Sequence, residues 1–184
     1  MRTEKLKREY EIAVRLVHFP LHPETPAEGQ EMAALYAGRN LDPEAMYRRM
    51  KTLMDQEGLP YGRRTHTYNS RLAQELGAWA EAEHPGSAIH DALYRAYFVD
   101  ARNIGDPDVL VEIAQSVGLP ADEARAVLAE RRFKDAVDAD WAKSHRYGVT
   151  GVPTFVAARY GVVGAQPYEA LAQLVERAGA AKRS

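Results

Sequence analysis

The sequence has no cysteine among its 184 residues. This absence excludes a disulfide, a thiolate nucleophile and a thiolate metal site from the chain. The six histidines show no metal-ligand spacing on a common helix face, so we interpret them as surface or packing residues. We therefore predict neither a metal nor a cofactor. The histidines are His18, His22, His66, His84, His90 and His145.

The chain also lacks an excess of positive charge and a long apolar run. Lys and Arg number 24 against 26 Asp and Glu, for a net charge of -2, so a nucleic acid is not predicted as a partner. No stretch of about 18 apolar residues occurs, and the charged start "MRTEKLKREYEI" lacks the apolar core of a signal peptide. We accordingly predict no membrane partner and a cytoplasmic location.

Strand-like patterns are confined to two regions near the chain ends. Residues 12–19, "IAVRLVHF", are mostly apolar and rich in β-branched side chains, which predicts a strand covered on both faces of a parallel sheet. Residues 154–157 and 161–164 flank "ARYG" and predict a hairpin, followed by a closing helix from about Pro167. The terminal "AAKRS" is expected to fray.

More than a hundred residues between these regions carry helical patterns. Asp42 and Asp106 each precede a proline, which predicts a helix with an aspartate N-cap and proline in the first turn. The order predicts an α/β core over residues 1–25 and 145–184, with an all-helical insertion over residues 26–144. Asp138 and Asp140 are expected on a solvated helix face. The helices are predicted over about 2–9, 28–36, 43–57, 70–84, 89–98, 107–117, 121–131 and 133–147.

The segment "GVTGVPTFV", residues 148–156, is the most informative motif. Alone, Gly-Val-Pro before a strand is typical of an entry turn. Combined in order with "FPLHPETPAEG", "ALYRAYFVDARNIGDPDVLVEIAQSVGL" and "GVVGAQPYEAL", it resembles the DsbA-like branch of the thioredoxin superfamily, specifically its FrnE-like thiol-disulfide oxidoreductases. Relatives in that branch include 2-hydroxychromene-2-carboxylate isomerase and the kappa-class glutathione transferase.

The resemblance implies a thioredoxin-like fold and a set of substrate-binding residues. In the family the bond matching Val152-Pro153 is cis, and the main chain of Val152 faces the substrate, where it can pair with an extended peptide or glutathione. Thr150 is near enough in sequence to add a polar contact. Asn69 either caps a helix or lies near the ligand, as in the isomerase and transferase relatives.

The family's Cys-x-x-Cys motif follows the first strand, and neither that strand nor the start of the first helix has a counterpart in this sequence. Because thiol-disulfide exchange requires sulfur, we predict that this chain has no catalytic residue and is redox-inactive. The gap beside residues 12–19 is expected to be filled by a second copy in a homodimer, by closure of the remaining strands, or by residues encoded upstream of Met1.

The sequence is compatible with three functions. The chain is a member of the thiol-disulfide oxidoreductase family without its chemistry, a non-catalytic peptide-binding or chaperone-like module, or a relative of the glutathione-dependent isomerases. The corresponding partners are an extended peptide or protein substrate and glutathione.

Overall fold

The computed structural model describes residues 2–37 and 41–183, which divide into two compact units. The core unit comprises Met1–Leu21 and Asp140–Ser184, and the helical unit comprises His22–Ala139. The division falls inside the eighth helix. In chain order the elements are α1 (Arg2–Glu9), β1 (Gln30–Glu31), α2 (Met32–Ala37), α3 (Pro43–Gln56), β2 (His66–Thr67), α4 (Arg71–Glu83), α5 (Ile89–Phe98), α6 (Pro107–Ser116), α7 (Ala121–Glu130), α8 (Lys134–Arg146), β3 (Thr154–Ala157), β4 (Tyr160–Val163) and α9 (Tyr168–Arg177).

The core unit is built on the predicted hairpin and the two terminal helices. β3 and β4 are antiparallel, with Thr154 opposite Val163 and Ala157 opposite Tyr160. Leu6 of α1 and the apolar residues at helical spacing in α9 are buried, which removes their surface from water. This small core contains Leu6, Tyr10, Leu171 and Val175, with Phe155 and Val162 of the hairpin packed against it.

The C-terminal tail is ordered through residue 183, so the prediction of fraying is wrong for the described residues; Ser184 lies outside them. Glu11 N donates to Ala181 O at 2.8 Å, and Arg183 N donates to Glu9 O at 2.9 Å. The Arg183 guanidinium also donates to Tyr10 O at 3.0 Å. The tail therefore pairs with the chain leaving α1 and satisfies main-chain groups that would otherwise have no partner.

Residues 12–19 do not form the predicted strand. Residues 13–17 make no main-chain hydrogen bond to any residue in the described ranges, and Val14, Leu16 and Val17 are exposed. A strand is stabilised by a neighbouring strand, and the described residues supply none beside this segment. β-branched composition alone was therefore insufficient to produce a strand.

His18 fixes the end of this segment to α8 within the core unit. Its main-chain N and its Nδ1 lie 3.1 and 2.9 Å from Asp140 Oδ2, and Ser144 Oγ donates to His18 O at 3.1 Å. Asp140 is buried, so its predicted place on a solvated face is wrong. The main-chain N–H, the carbonyl and the Nδ1 of His18 thus all have partners on neighbouring turns of α8, at Asp140 and Ser144.

The helical unit packs α4 to α7 around Trp79, which is fully buried. The predicted caps are present, since the side chains of Asp42 and Asp106 accept from Glu44 N and Asp108 N, each at 2.9 Å. The two-residue strands β1 and β2 pair Gln30–Glu31 with His66–Thr67 and were not predicted, because two residues carry no detectable alternation.

A buried charge lies inside this helical packing. Glu75 accepts hydrogen bonds from Arg71 Nε at 2.6 Å and from Arg131 Nε and Nη2 at 2.6 and 2.7 Å. Arg71 Nη1 also donates to Asp138 Oδ1 at 2.6 Å, and Lys134 Nζ donates to Asp138 Oδ2 at 2.8 Å. Asp138 is partly exposed but belongs to this ion-pair network, which the sequence pattern did not reveal.

Candidate functional site

The candidate site is the loop that leads from α8 into β3. α8 ends at Arg146, and Gly148 adopts a left-handed conformation with φ of +66°, which favours glycine. Gly148 N donates to His145 O at 2.9 Å, and Val149 N donates to Ser144 O at 3.0 Å. These bonds satisfy carbonyls at the end of the helix and set the direction in which the loop leaves it.

The loop reaches the hairpin through Val152 and Pro153, whose connecting peptide bond is cis. Thr154 Oγ1 donates to Gly151 O at 2.7 Å. Gly164 N donates to Pro153 O at 2.7 Å, which adds one hydrogen bond to the ladder beyond the Thr154–Val163 pair. The carbonyl of Pro153 is therefore fixed by a hydrogen bond from the residue that follows β4.

Val152, in contrast to Pro153, has main-chain groups without hydrogen-bond partners among the residues that the structure describes. Its main-chain N–H and C=O make no hydrogen bond to any residue between 2 and 37 or between 41 and 183, and the residue is 50% exposed. Thr150 and Pro153 are exposed as well. An unpaired donor and acceptor on one exposed residue can pair with an extended chain as a neighbouring strand would.

The chemistry of this surface is apolar and uncharged. Residues 148–158 contain no ionisable side chain, and Val156 of β3 and Val163 of β4 are exposed close to half of their surface. The surface is therefore suited to main-chain hydrogen bonds and apolar side chains of a ligand, with no charge to select among ligands.

A turn after β4 supports the loop. Gln166 Nε2 donates to Val163 O at 2.6 Å, and Arg2 Nη1 donates to Gln166 O at 2.7 Å. The turn also contains Gly164, whose N–H is bonded to Pro153. Arg2, near the start of the chain, therefore supports a turn that lies close to its end.

Asn69, the fourth predicted site residue, lies in the helical unit. Its Nδ2 donates to Pro23 O and Thr25 O at 3.1 and 2.9 Å, and its Oδ1 accepts from Arg71 N at 2.9 Å. The side chain thus accepts from the first amide of α4 and ties residues 23–25 to the start of that helix, whose N-cap position is occupied by Ser70. A contact between Asn69 and a ligand stays a prediction.

No group of three or more His, Asp or Glu residues within the described ranges is arranged to hold a metal ion. In the same residues, no helix is both long enough and apolar enough to cross a membrane.

Comparison with known proteins decides the family. The model of the DSBA-like thioredoxin domain matches residues 1–176, nearly the full chain. The chain belongs to the DsbA-like thioredoxin family. The predicted thioredoxin-like fold with a helical insertion is thereby confirmed.

Solved structures in this family include two informative relatives. A probable DsbA oxidoreductase from Streptomyces coelicolor is 36% identical, with a TM-score of 0.75 over 86% of this chain and 72% of that one. The cytosolic disulfide reductase DsbM from Pseudomonas aeruginosa, solved with GSH, is 25% identical, with a TM-score of 0.50 over 65% of this chain and 69% of that one.

A curated relative is YwbO from Bacillus subtilis (strain 168), which is 31% identical over 103 residues. The match covers 54% of this chain and 50% of YwbO. This DsbA-like chain therefore spans about half the length of the curated relative that it matches.

Proposed function

We propose that this protein is a FrnE-like member of the thiol-disulfide oxidoreductases and that Val152 docks an extended segment of a protein substrate. The observation that carries the proposal is the unpaired main chain of the exposed residue Val152, next to Pro153, whose carbonyl is hydrogen-bonded to Gly164 N. Pairing with an incoming chain satisfies both polar groups, and the nearby exposed valines contact alternate side chains of that chain. Thr150 adds a hydroxyl at the same surface.

The reaction of the family is attack of a thiolate on a disulfide sulfur, which forms a mixed disulfide and releases the other sulfur as a thiolate. The 184 residues contain no cysteine and cannot supply the attacking thiolate. We therefore assign to this chain the docking step and not the sulfur chemistry. The cytosol is the proposed location, in keeping with the description of the related DsbM as a cytosolic enzyme.

The docking proposal is tested by calorimetric titration with a short S-alkylated fragment of the insulin B chain. Two further versions carry backbone N-methyl groups, one on the odd and one on the even residues, so that each blocks one edge of the extended peptide. We expect the unmodified peptide to bind and at least one methylated version to bind about tenfold more weakly. Equal affinity of all three peptides would refute main-chain pairing.

The chemical part of the proposal has a separate test. In an insulin-reduction assay with dithiothreitol, the purified chain should give the same rate as buffer. Turnover above that rate, retained through repeated purification, would contradict the assignment of docking alone.

Glutathione is a second candidate ligand for the same loop. The specific support is the related DsbM, which was solved with GSH. The cysteinyl residue of glutathione carries an amide N–H and a C=O, so it offers Val152 the same pair of groups as one residue of a longer peptide. Calorimetry with S-methylglutathione tests this candidate without thiol chemistry, and the absence of heat at millimolar concentration would exclude it.

A further inference from the structure

The core unit contains a cavity between β4 and α9 that the docking function does not use. Its volume is about 320 Å³, which falls within the range of pockets that hold small organic ligands. The docking loop enters the hairpin at its open end, whereas this cavity begins at Arg159 and Tyr160, at the end where the hairpin turns. Apolar lining comes from Val162, Ala170 and Leu174.

Two arginines of the lining lie over one aromatic ring. Arg159 Cζ lies 5.3 Å and Arg177 Cζ 4.6 Å from the centre of the Tyr160 ring. Both arginines are exposed residues. Contact with the face of a ring does not use the N–H donors of a guanidinium, which point outward in its plane. A single ligand beside Tyr160 can therefore accept from both side chains.

The positive charge of this cavity is not compensated by its own lining. Among the residues that the structure describes, no acidic side chain lines the cavity, and neither Arg159 nor Arg177 has an ion pair. Of the two acidic residues of α9, Glu176 accepts from Tyr10 Oη at 2.6 Å. The other, Glu169, lies eight residues before Arg177, about 12 Å along the helix.

Neutral hydrogen-bond donors accompany the two cations. Arg159 Nη2 donates to Tyr160 Oη at 3.1 Å, which leaves the hydroxyl hydrogen of Tyr160 for another acceptor. Gln173 also lines the cavity and carries a carboxamide with two N–H donors. The polar lining is therefore rich in donors and suits a ligand with several acceptor oxygens.

We propose that this cavity binds a small phosphate monoester, with its phosphate against Arg159 and Arg177 and its organic body against Val162 and Ala170. A phosphate monoester carries close to two negative charges at neutral pH and three strong acceptor oxygens, which match two guanidinium groups. The apolar lining favours an ester over inorganic phosphate. The site shares no residue with the docking loop, so each proposal can fail without the other.

The test uses phenyl phosphate as the probe and follows the ¹H–¹⁵N amide shifts of the full chain at pH of about 7.5, where the probe is a dianion. Phenyl phosphate should bind saturably, with a dissociation constant below about 10 mM, and shift the amides of Tyr160, Gly161 and Gln173. The Val152 amide should not shift. Phenyl sulfate has the same shape with one negative charge and should bind about fivefold more weakly or worse. Inorganic phosphate should also bind more weakly, because it lacks the ring.

Variants sharpen the same experiment. Arg159→Gln and Arg177→Gln should each weaken phenyl phosphate binding about fivefold or more, and lysine at either position should give a smaller loss because it keeps the charge. Arg146→Gln is the matched control, because Arg146 is an exposed arginine of the same unit outside the lining, and it should leave the affinity unchanged. The comparison of phenyl phosphate with phenyl sulfate on the unmodified chain decides the question even if a variant fails to fold.

Three results would overturn the proposal. They are equal binding of phenyl phosphate and phenyl sulfate, unchanged affinity in a folded variant that carries both Arg159→Gln and Arg177→Gln, and no shift at the cavity up to about 10 mM phenyl phosphate. Inorganic phosphate that binds as tightly as phenyl phosphate would overturn the assignment of an ester.

Discussion

Arg131 Nε and Nη2 donate to the two oxygens of Glu75 at 2.6 and 2.7 Å, which joins the residue just after α7 to the buried face of α4. Arg131 has a φ of +54°, a left-handed conformation that is uncommon for arginine. Glu75 is only 1% exposed. A desolvated carboxylate of this kind requires both of its arginine partners, Arg131 and Arg71.

Removal of the Glu75 charge should therefore destabilise the helical unit. Glu75→Gln leaves two guanidinium groups without their carboxylate, and we expect a loss of about 3 kcal/mol in the free energy of unfolding. Urea denaturation followed by circular dichroism measures this loss. Asp108→Asn is the matched control, because the Asp108–Arg125 pair is exposed and should contribute less than about 1 kcal/mol. Equal effects of the two substitutions would contradict the role of the buried pair.

The same network predicts a dependence of stability on acid. Burial opposes ionisation of Glu75, but hydrogen bonds from Arg131 and Arg71 outweigh it and hold the pKa of Glu75 below its ordinary value. A lowered carboxyl pKa stabilises the fold above the pKa of the unfolded chain, and this contribution disappears as the pH falls through the folded-state pKa. The free energy of unfolding falls as the pH is lowered from neutral to below about 4. We expect a smaller fall in Glu75→Gln than in the unmodified chain.

Tyr168 should ionise unusually late. Its hydroxyl donates to the Glu9 carboxylate, and this hydrogen bond, together with burial, raises the pKa of Tyr168 to about 12. The stabilisation is complete below the ordinary tyrosine pKa and is lost as the pH rises through the raised one. A ¹³C titration of the tyrosine Cζ resonances should show this midpoint fall toward its ordinary value in Glu9→Ala. Glu4→Ala, in the same helix, should leave it in place.

Gly62 should tolerate no side chain. The Cβ of Gly62→Ala would collide with the Val99 carbonyl, so we expect a loss of at least about 2 kcal/mol in the free energy of unfolding. Gly151→Ala is the control, because a Cβ there meets no atom within 4 Å. Thermal unfolding measured by calorimetry compares the two, and a neutral Gly62→Ala would show that the loop is not pressed against α5.

Val152 should act through its main chain more than through its side chain. Val152→Ala shortens an exposed side chain but keeps the N–H and C=O, so peptide affinity should change by less than about threefold. Calorimetry with the insulin B-chain fragment measures this. Loss of peptide binding in a folded Val152→Ala variant would show that the valine side chain, and not the backbone, recognises the peptide.

Local signals in the sequence predicted the helices and the hairpin well. The caps at Asp42 and Asp106 and the apolar stripe of α9 depend on residues within one or two turns, and the structure confirms them. The strand over residues 12–19 was predicted wrongly because strand formation depends on a partner, which local composition does not contain. The paired tail after Gly179 was missed for the same reason.

The site was only partly accessible from sequence. The loop at Val152 and Pro153 was identified through its motif, whereas the stacking of Arg64 on Tyr97 in the helical unit was not predicted. The adjacent arginines in "YGRRT" look like surface charge, and only the folded chain separates Arg63, paired with Glu44, from Arg64, stacked on Tyr97. Asp140 was misassigned because its partner His18 is more than a hundred residues away. Long-range ion pairs of this kind leave no periodic signal.

The most direct test of the docking proposal is the ¹H–¹⁵N resonance of Val152 during titration with the S-alkylated insulin B-chain fragment. The Val152 N–H makes no hydrogen bond within the described ranges. We predict that its proton resonance moves downfield, saturably and further than that of any other amide in the core unit, as it donates to the peptide. A Val152 resonance that stays in place while the peptide binds elsewhere would contradict the proposal.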